Sequence, residues 1–263
     1  MPYICSIILV LNSFGVRIGK EDILFKKGNA VLIEYNLKDL FSSNTDHLMI
    51  VDVEEKTVND FFKNYTLSPF SVRRFYPSYL IVECEDFSLL KNLVACLNCD
   101  SKTVDVVRNQ ISLACLAILS SEKIVQSFLF GSLNSLGCKV KAIIHSDISA
   151  SWRLCDISSR LYMSESLLKR KLKDEGLSFS KLILEERMMM AQRLLIYSNH
   201  TVGKVAGICG YDNASYFVSV FRGYFGVPPH QYLSRFSGND SNLLIVFYVQ
   251  IMPDDFVMQL HRF

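Results

Sequence analysis

The chain lacks a long apolar run of the kind that spans a membrane. Apolar residues make up 50% of its 263 residues, yet outside the amino end no uninterrupted stretch approaches the roughly 20 residues that a helical span needs. The first apolar run, within MPYICSIILVLNSFG, has no positive charge before it, which disfavours a secretory signal and predicts a buried strand. We therefore expect a soluble, cytoplasmic protein with no membrane partner and with enough core for two domains.

Metal-site and enzyme signatures are also missing. Of the eight cysteines, only Cys96 and Cys99 form a CxxC pair, and neither a second pair nor spaced histidines accompany it, although a structural zinc site needs four such ligands. The five histidines stand at no metal-ligand spacing, and neither a Walker A nor a GxSxG motif occurs. These absences predict reduced thiols packed as small hydrophobic residues, with no catalytic residues, no cofactor and no metal. We do not expect an enzyme.

Net charge is small but unevenly distributed. The formal charge of the whole chain is only +2. Residues 138–236 contain 14 Lys and Arg against 8 Asp and Glu, whereas the rest of the chain contains 14 basic and 18 acidic residues. A basic segment suits a polyanionic partner such as nucleic acid. An excess of this size also occurs on ordinary surfaces, so charge alone leaves both interpretations open.

Apolar patterning divides the chain into a strand-rich and a helix-rich part. Four short apolar runs bounded by turn signals predict strands of a small sheet or barrel: residues 3–12, 16–25, 29–36 and 47–54. Apolar residues then recur at threes and fours, which predicts helices near 57–65, 86–98, 101–119 and 121–135. The basic segment continues the helical pattern from CKVKAIIHSDIS onward.

Two pairs of short helices are predicted in the basic segment. In LCDISSRLYMSESLLKRKLKDE, a first helix is followed by a turn, by Ser164 as N-cap residue and by a second helix from Glu165. Leucines can face inward along the second helix, and the polar residues on another face are Ser166, Lys169, Arg170 and Lys173. A solvated run of charge is the alternative interpretation of that face.

The stretch KVAGICGYDNASYFVSVFRGYFGVPPHQYL repeats this arrangement about 50 residues later. Ala206 is small enough for two helices to pack closely, Gly210 permits the turn, and Asn213 can cap a second helix from Ala214. Aromatic residues at steps of four fill the core and leave polar residues outward. The helix predicted between the two pairs is roughly 27 Å long, so the pairs could reach successive major-groove segments about 34 Å apart.

These segments resemble the AraC/XylS family of bacterial transcription regulators. The resemblance rests on MSESLLKRKLK, SFSKLILEERMMMAQRLL and VGKVAGICGYDNASYFVSVFRGYFGVPPHQY, and it covers residues 138–236. Ser158 stands where alanine is usual, and the segment 173–177 is one residue shorter than typical. The resemblance implies an α+β fold: an N-terminal small β-sheet or cupin-like domain with helices, followed by an all-α domain with two helix-turn-helix units joined by a long helix.

The resemblance also implies domain boundaries and a DNA-contacting surface. We expect a sensor or dimerisation domain at 1–136, an AraC-type DNA-binding domain at 137–236, and a tail at 237–263 whose run LLIVFYVQIM indicates an extra strand or docked segment. The residues implied at DNA are Ser166, Lys169, Arg170, Lys173, Ala214, Ser215, Ser219, Val220 and Arg222. The first unit would supply most base discrimination, and the second, with Arg222 at phosphate, would mainly position the protein.

The implied function is that of a sequence-specific DNA-binding transcription regulator, an activator of virulence or stress genes similar to regulators of enteric bacteria. Its implied partners are double-stranded promoter DNA and RNA polymerase, and a homodimer is a further candidate. A small anionic or fatty-acid effector would meet a basic residue of the N-terminal domain, with plain surface groups as the alternative; the candidates are Arg17, Lys26, Lys27 and His47. The rival interpretation is a protein-binding anti-activator that masks another regulator.

Overall fold

The computed structural model describes residues 2–65, 72–98, 105–120 and 123–237. The chain packs into two compact units: the first runs to Ser146 and includes Arg153–Ser178, and the second combines Asp147–Trp152 with the described residues from Phe179 onward. Cys99 and the tail run LLIVFYVQIM lie outside the described residues. Within the described ranges, no helix is both long and apolar enough to cross a membrane.

An antiparallel sheet forms the centre of the first unit. Its strands in spatial order are β5 (Leu48–Glu54), β1 (Tyr3–Val10), β4 (Asn29–Glu34) and β6 (Tyr79–Glu83). A separate hairpin pairs β2 (Phe14–Ile18) with β3 (Glu21–Phe25). A run of 3₁₀ turns over Tyr35–His47 joins β4 to β5.

The first apolar run is a buried strand, as predicted. Every residue of β1 from Ile4 to Val10 is buried, the pattern of a strand covered on both faces. The helices that pack against the sheet are α1 (Glu55–Asn64), α2 (Phe87–Asn98) and α4 (Lys123–Ser132), and α3 (Asp105–Leu119) packs on α1 and α2. A hydrophobic cluster joins the sheet, the hairpin and the 3₁₀ segment: Ile8, Val10, Phe14, Val16, Phe25, Val31, Ile33, Phe41 and Leu48.

One prediction about the N-terminal strands was wrong, and one strand was missed. The run 16–25 is not one strand, because Gly19 takes a φ of +63° and turns the chain between β2 and β3. The strand β6 was not predicted at all. The four helices predicted after the strands are confirmed where the structure describes them, although α4 ends at Ser132 rather than at residue 135.

The helix-rich part contains the two predicted helix pairs and the long helix between them. Its elements are α5 (Leu136–Ser146), α6 (Leu154–Arg160), α7 (Glu165–Asp174), α8 (Phe179–Tyr197), α9 (Val202–Ile208), α10 (Ala214–Phe225) and α11 (Pro229–Ser237). The pair α6 and α7 belongs to the first compact unit, whereas α8 to α11 belong to the second. The boundaries predicted at 136 and 236 stay predictions. The helix α11, which contributes Tyr232 to the second core, was not predicted.

The seven cysteines within the described ranges are free thiols, as predicted. Cys5, Cys115 and Cys209 are buried and pack as small hydrophobic residues, but Cys96 and Cys155 are exposed. The prediction of packed thiols therefore holds for only some of them.

Candidate nucleic-acid interface

The two helix pairs share one turn geometry. In the first pair the backbone N–H of Met163 donates to the carbonyl oxygen of Ser158 at 3.0 Å, and in the second Tyr211 donates to Ala206 at 2.9 Å. Ser158 and Ala206 are both buried, so the small side chains occupy equivalent positions. The Ser158 hydroxyl donates to the carbonyl of Cys155 at 3.1 Å, which satisfies its hydrogen-bonding need and allows serine in place of alanine.

Both turns contain a residue in the left-handed backbone conformation, a tyrosine in the first turn and a glycine in the second. Tyr162 has a φ of 55° and Gly210 a φ of 77°, a left-handed region that costs a non-glycine residue about 1–2 kcal/mol. A Cβ at Gly210 would stand 2.6 Å from both the Ser149 carbonyl oxygen and Nη2 of Arg187, so only glycine fits there. Tyr162 is exposed, and its hydroxyl donates to the carbonyl of Val72 at 3.2 Å.

The helix α7 has one buried and one polar face. The hydroxyl of its N-cap residue Ser164 accepts a hydrogen bond from the Leu167 N–H at 3.3 Å, while Leu168 and Leu172 are buried. All four residues predicted to contact DNA are exposed, and their spacing of three and four places them on one face: Ser166, Lys169, Arg170 and Lys173. That face presents three positive charges to solvent.

The helix α10 has the same register from its cap but less charge. The side-chain oxygen of Asn213 accepts from the Tyr216 N–H at 3.0 Å. Phe217 and Phe221 are fully buried and stand at the positions that the buried leucines occupy in α7. They pack in the core of the second unit with residues from α8, α9 and α11.

Counting from each N-cap residue brings the outward positions of the two helices into correspondence. Three exposed pairs result: Ser166 with Ser215, Arg170 with Ser219, and Lys173 with Arg222. Ala214 is also exposed, whereas Val220 is partly buried against the core and corresponds to Lys171, which is exposed but lies outside the polar face of α7. The equivalent of Lys169 is Val218, which the sequence reasoning missed and which is also partly buried.

Arg187 of α8 holds the second turn in place. Its Nη2 donates to the carbonyl of Ala150 at 2.8 Å, and its Nη1 donates to the carbonyl of Gly210 at 3.3 Å. The guanidinium carbon lies 5.4 Å from the ring centroid of Tyr211. Burial raises the pKa of the Tyr211 phenol, and the charge of Arg187 opposes that shift. Arg187 therefore positions the turn that precedes α10.

The four basic residues predicted to meet an effector are all exposed. Arg17 lies 4.0 Å from the carboxylate of Asp22 on the hairpin. Lys26, Lys27 and His47 lie at one end of the sheet, where the carbonyl of His47 accepts hydrogen bonds from the first two residues after β1, at 2.8 and 3.1 Å. A ligand site at these residues stays a prediction.

Comparison with known proteins matches both parts of the chain. Residues 2–133 match the family described as "HTH-type transcriptional regulator AppY N-terminal domain", and residues 157–235 match "Helix-turn-helix domain". The chain is 28% identical over 256 residues to the HTH-type transcriptional regulator YdeO of Escherichia coli K-12, covering 94% of this chain and 100% of YdeO. It is 30% identical over 203 residues to the porin thermoregulatory protein EnvY of the same strain, covering 73% and 79%.

A solved structure, that of a DNA-binding transcriptional dual regulator from Escherichia coli K-12, is 41% identical in sequence to this chain and has a TM-score of 0.37. The match covers 38% of this chain and 89% of that one. The match over residues 2–133 spans half of the chain, and the helix-turn-helix match includes both helices that carry the outward residues. The family matches and the two relatives, YdeO and EnvY, favour a DNA-binding regulator over an anti-activator that only masks another protein. The chain belongs to the AraC/XylS family of bacterial transcription regulators, in the group with an AppY-type N-terminal domain.

Proposed function

We propose that α7 makes most of the base-specific contacts of this transcription regulator and that α10 mainly holds it on the DNA backbone. This proposal rests on one observation: α7 and α10 carry different residue types at equivalent positions. Lys169 and Arg170 in α7 stand where α10 has Val218 and Ser219. Arg and Lys donate to O6 and N7 of guanine in the major groove, and each good bidentate pair discriminates by about 1–3 kcal/mol.

The last outward position of each helix carries a positive charge in both units. Lys173 in α7 and Arg222 in α10 are exposed and stand at the same distance from their N-cap residues. Phosphate contacts need charge but no particular base, and they fix the orientation of a protein on the duplex. We assign Lys173 and Arg222 to phosphate groups at the edges of the grooves.

We further propose that the protein activates virulence or stress genes at promoters, with RNA polymerase as its protein partner. This part rests on the family alone. A second copy of the chain or a small anionic effector would act on the N-terminal domain, where Arg17, Lys26, Lys27 and His47 are the candidate contacts for an effector carboxylate. Titration of the purified protein with a fatty acid, followed by its thermal unfolding, tests the effector, because a ligand of the folded state raises the Tm.

Selection of binding sites from a random pool of DNA duplexes tests the central assignment. Lys169→Ala should lower affinity for the selected site by about tenfold, within the range expected for a lost base contact, and should affect scrambled DNA much less. Lys171→Ala is the matched control, because it removes the same charge from the same helix but from outside the polar face of α7. Lys171 instead lies close enough to Lys139 of α5 to help lower the pKa of that amine, which burial lowers most.

Lys169→Ala and Lys171→Ala together distinguish the loss of a base contact from the loss of positive charge alone. Equal losses on selected and scrambled DNA for Lys169→Ala would contradict base contact by α7. Absence of any enriched site for the wild-type protein would contradict site-specific binding as a whole.

A further inference from the structure

A segment of the N-terminal domain lies beside the turn of the first helix pair. The hydroxyl of Tyr162 donates to the carbonyl of Val72 at 3.2 Å, across 90 positions of sequence. Both residues belong to the first compact unit. Tyr162 precedes the N-cap residue Ser164 by two positions, so the segment 72–76 adjoins the N-terminal end of α7.

The same segment is held at its other end by Tyr76. The Tyr76 hydroxyl accepts a hydrogen bond from the backbone N–H of Arg73 at 2.8 Å. The Tyr76 ring lies 6.2 Å from that of Phe130 and so close to Gly131 that a Cβ there would collide with it. Contacts at both ends therefore fix the backbone of segment 72–76.

Two adjacent arginines project from this fixed segment. Arg73 and Arg74 are both exposed, and the guanidinium carbon of Arg74 lies 5.8 Å from the ring centroid of Phe75. Outside residues 138–236 acidic residues outnumber basic ones, so a basic pair beside α7 runs against the charge of its own domain. Guanidinium groups bind phosphate oxygens through paired hydrogen bonds.

We propose that Arg73 and Arg74 bind the phosphodiester backbone of the DNA whose major groove receives α7. The N-terminal residues of a recognition helix contact base edges, and the phosphates border a groove about 12 Å wide. Arg73 and Arg74 follow Val72, which contacts the turn that precedes α7, by only one and two residues. Their side chains are therefore close enough to reach these phosphates. The N-terminal domain thus adds to DNA affinity directly, a role that rests on the DNA contact proposed for α7.

The double variant Arg73→Ala/Arg74→Ala tests this surface, with Lys20→Ala/Lys91→Ala as its charge-matched control. Each removes two exposed positive charges from the N-terminal domain. Segment 72–76 lies next to the edge strand β6, because the Glu34 N–H at the end of β4 donates to the Ser78 carbonyl just before β6. Lys20 stands in the turn of the separate hairpin of β2 and β3, and Lys91 lies on α2, which packs against β5 at the opposite edge of the sheet.

Affinity should be measured on selected and scrambled duplexes over a series of salt concentrations. The arginine variant should weaken binding to both duplexes by the same factor, on the order of tenfold, and reduce the salt slope by about two. The lysine variant should leave both affinities and the slope near the wild-type values. Tyr162→Phe, which loses only the hydroxyl that holds Val72, should reproduce part of the loss, up to about fivefold, with site preference unchanged.

An arginine variant that matches the lysine variant would overturn the proposal, and so would one that binds DNA more tightly, since segment 72–76 would then obstruct α7. Failure of this proposal and of the α7 assignment remain distinguishable. Lys169→Ala reports on α7 through site preference, whereas the arginine pair reports through the salt slope at constant preference.

Discussion

The carboxylate of Glu175, the residue that follows α7, accepts a hydrogen bond from the backbone N–H of Gly137 at 2.9 Å. It also accepts from the Leu136 N–H at 2.8 Å and from the Ser135 hydroxyl at 2.9 Å. These donors stand at the start of α5, where backbone N–H groups lack helical partners and favour negative charge. A Cβ at Gly137 would collide with Leu177, so glycine permits this close approach of the segment after α7.

Replacement of Glu175 by alanine should lower the free energy of unfolding by about 1–2 kcal/mol, because the start of α5 loses its capping carboxylate. Asp174→Ala is the control, since it removes the same charge from the neighbouring exposed position. Chemical denaturation of both variants gives the comparison. If the two variants are equally stable, the hydrogen bonds of Glu175 contribute nothing to the docking of α7.

Gly210→Ala should destabilise the second unit more than Gly226→Ala does. Both glycines have nearly the same φ, 77° and 78°, so both variants carry the left-handed cost of about 1–2 kcal/mol. Only Gly210 is also crowded, by Ser149 and Arg187, which adds about 1–3 kcal/mol for overpacking. Thermal unfolding of the two variants measures the difference, and equal Tm values would mean that the turn can move away from Arg187 without cost.

A charge at Ala206 should unfold the second helix pair. Ala206 is 1% exposed, so Ala206→Glu forces an unpaired carboxylate between packed helices. Gly207→Glu introduces the same side chain one position along, at an exposed site where a Cβ would meet nothing within 4 Å. Circular dichroism during heating should show an early transition for the first variant alone. Similar melting curves for both would mean that the helices separate to admit the charge.

Local residues were enough to predict the helix pairs, whereas contacts between distant residues were not predictable. The caps at Ser164 and Asn213 depend on a side chain and an N–H three residues later, which a local pattern contains. Glu175 and Gly137 are 38 residues apart, and Tyr162 and Val72 are 90 apart. No periodicity relates such partners, because the intervening fold determines their approach.

Differences within the predicted elements have equally specific causes. The DNA-facing residues of α10 were taken from the resemblance, whereas counting from the Asn213 cap pairs Lys169 with Val218 and Lys171 with Val220. Both valines are partly buried, and a DNA contact at Val220 stays a prediction. The strand β6 is a five-residue edge strand that pairs only with β4 in the described sheet, so it leaves a short and partly exposed apolar pattern. Gly19 is itself a turn signal, yet it lies inside the predicted run 16–25, and its positive φ separates β2 from β3.

The buried thiols should react only after unfolding. Burial raises the pKa of Cys5 and Cys209 to about 12 and that of Cys115 to about 11, and the thiolate is the reactive form. At pH 8, iodoacetamide should label the exposed Cys96 and Cys155 and spare these three, as read by peptide mass spectrometry. Rapid labelling of Cys209 in the folded protein would show that the core around α9 opens.

The same pKa shifts predict a loss of stability at alkaline pH. The folded-state pKa values lie above the ordinary value of 9.0, so folding favours the protonated thiols. The contribution of these protonated thiols to the free energy of unfolding is fully present below about pH 9. It is lost as the pH rises towards the folded-state pKa values. Denaturation midpoints recorded between pH 8 and 11 should fall, and replacing Cys209 by alanine should lessen the fall.

Competition binding of Arg170→Ala and Arg222→Ala over a series of salt concentrations tests the division of roles between α7 and α10 most directly. Arg170→Ala should cost about 1–3 kcal/mol on the preferred site and much less on scrambled DNA. Arg222→Ala should weaken both complexes equally and reduce the salt slope by about one. If Arg222→Ala relaxes site preference more than Arg170→Ala does, base recognition resides in α10 and the proposed assignment is contradicted.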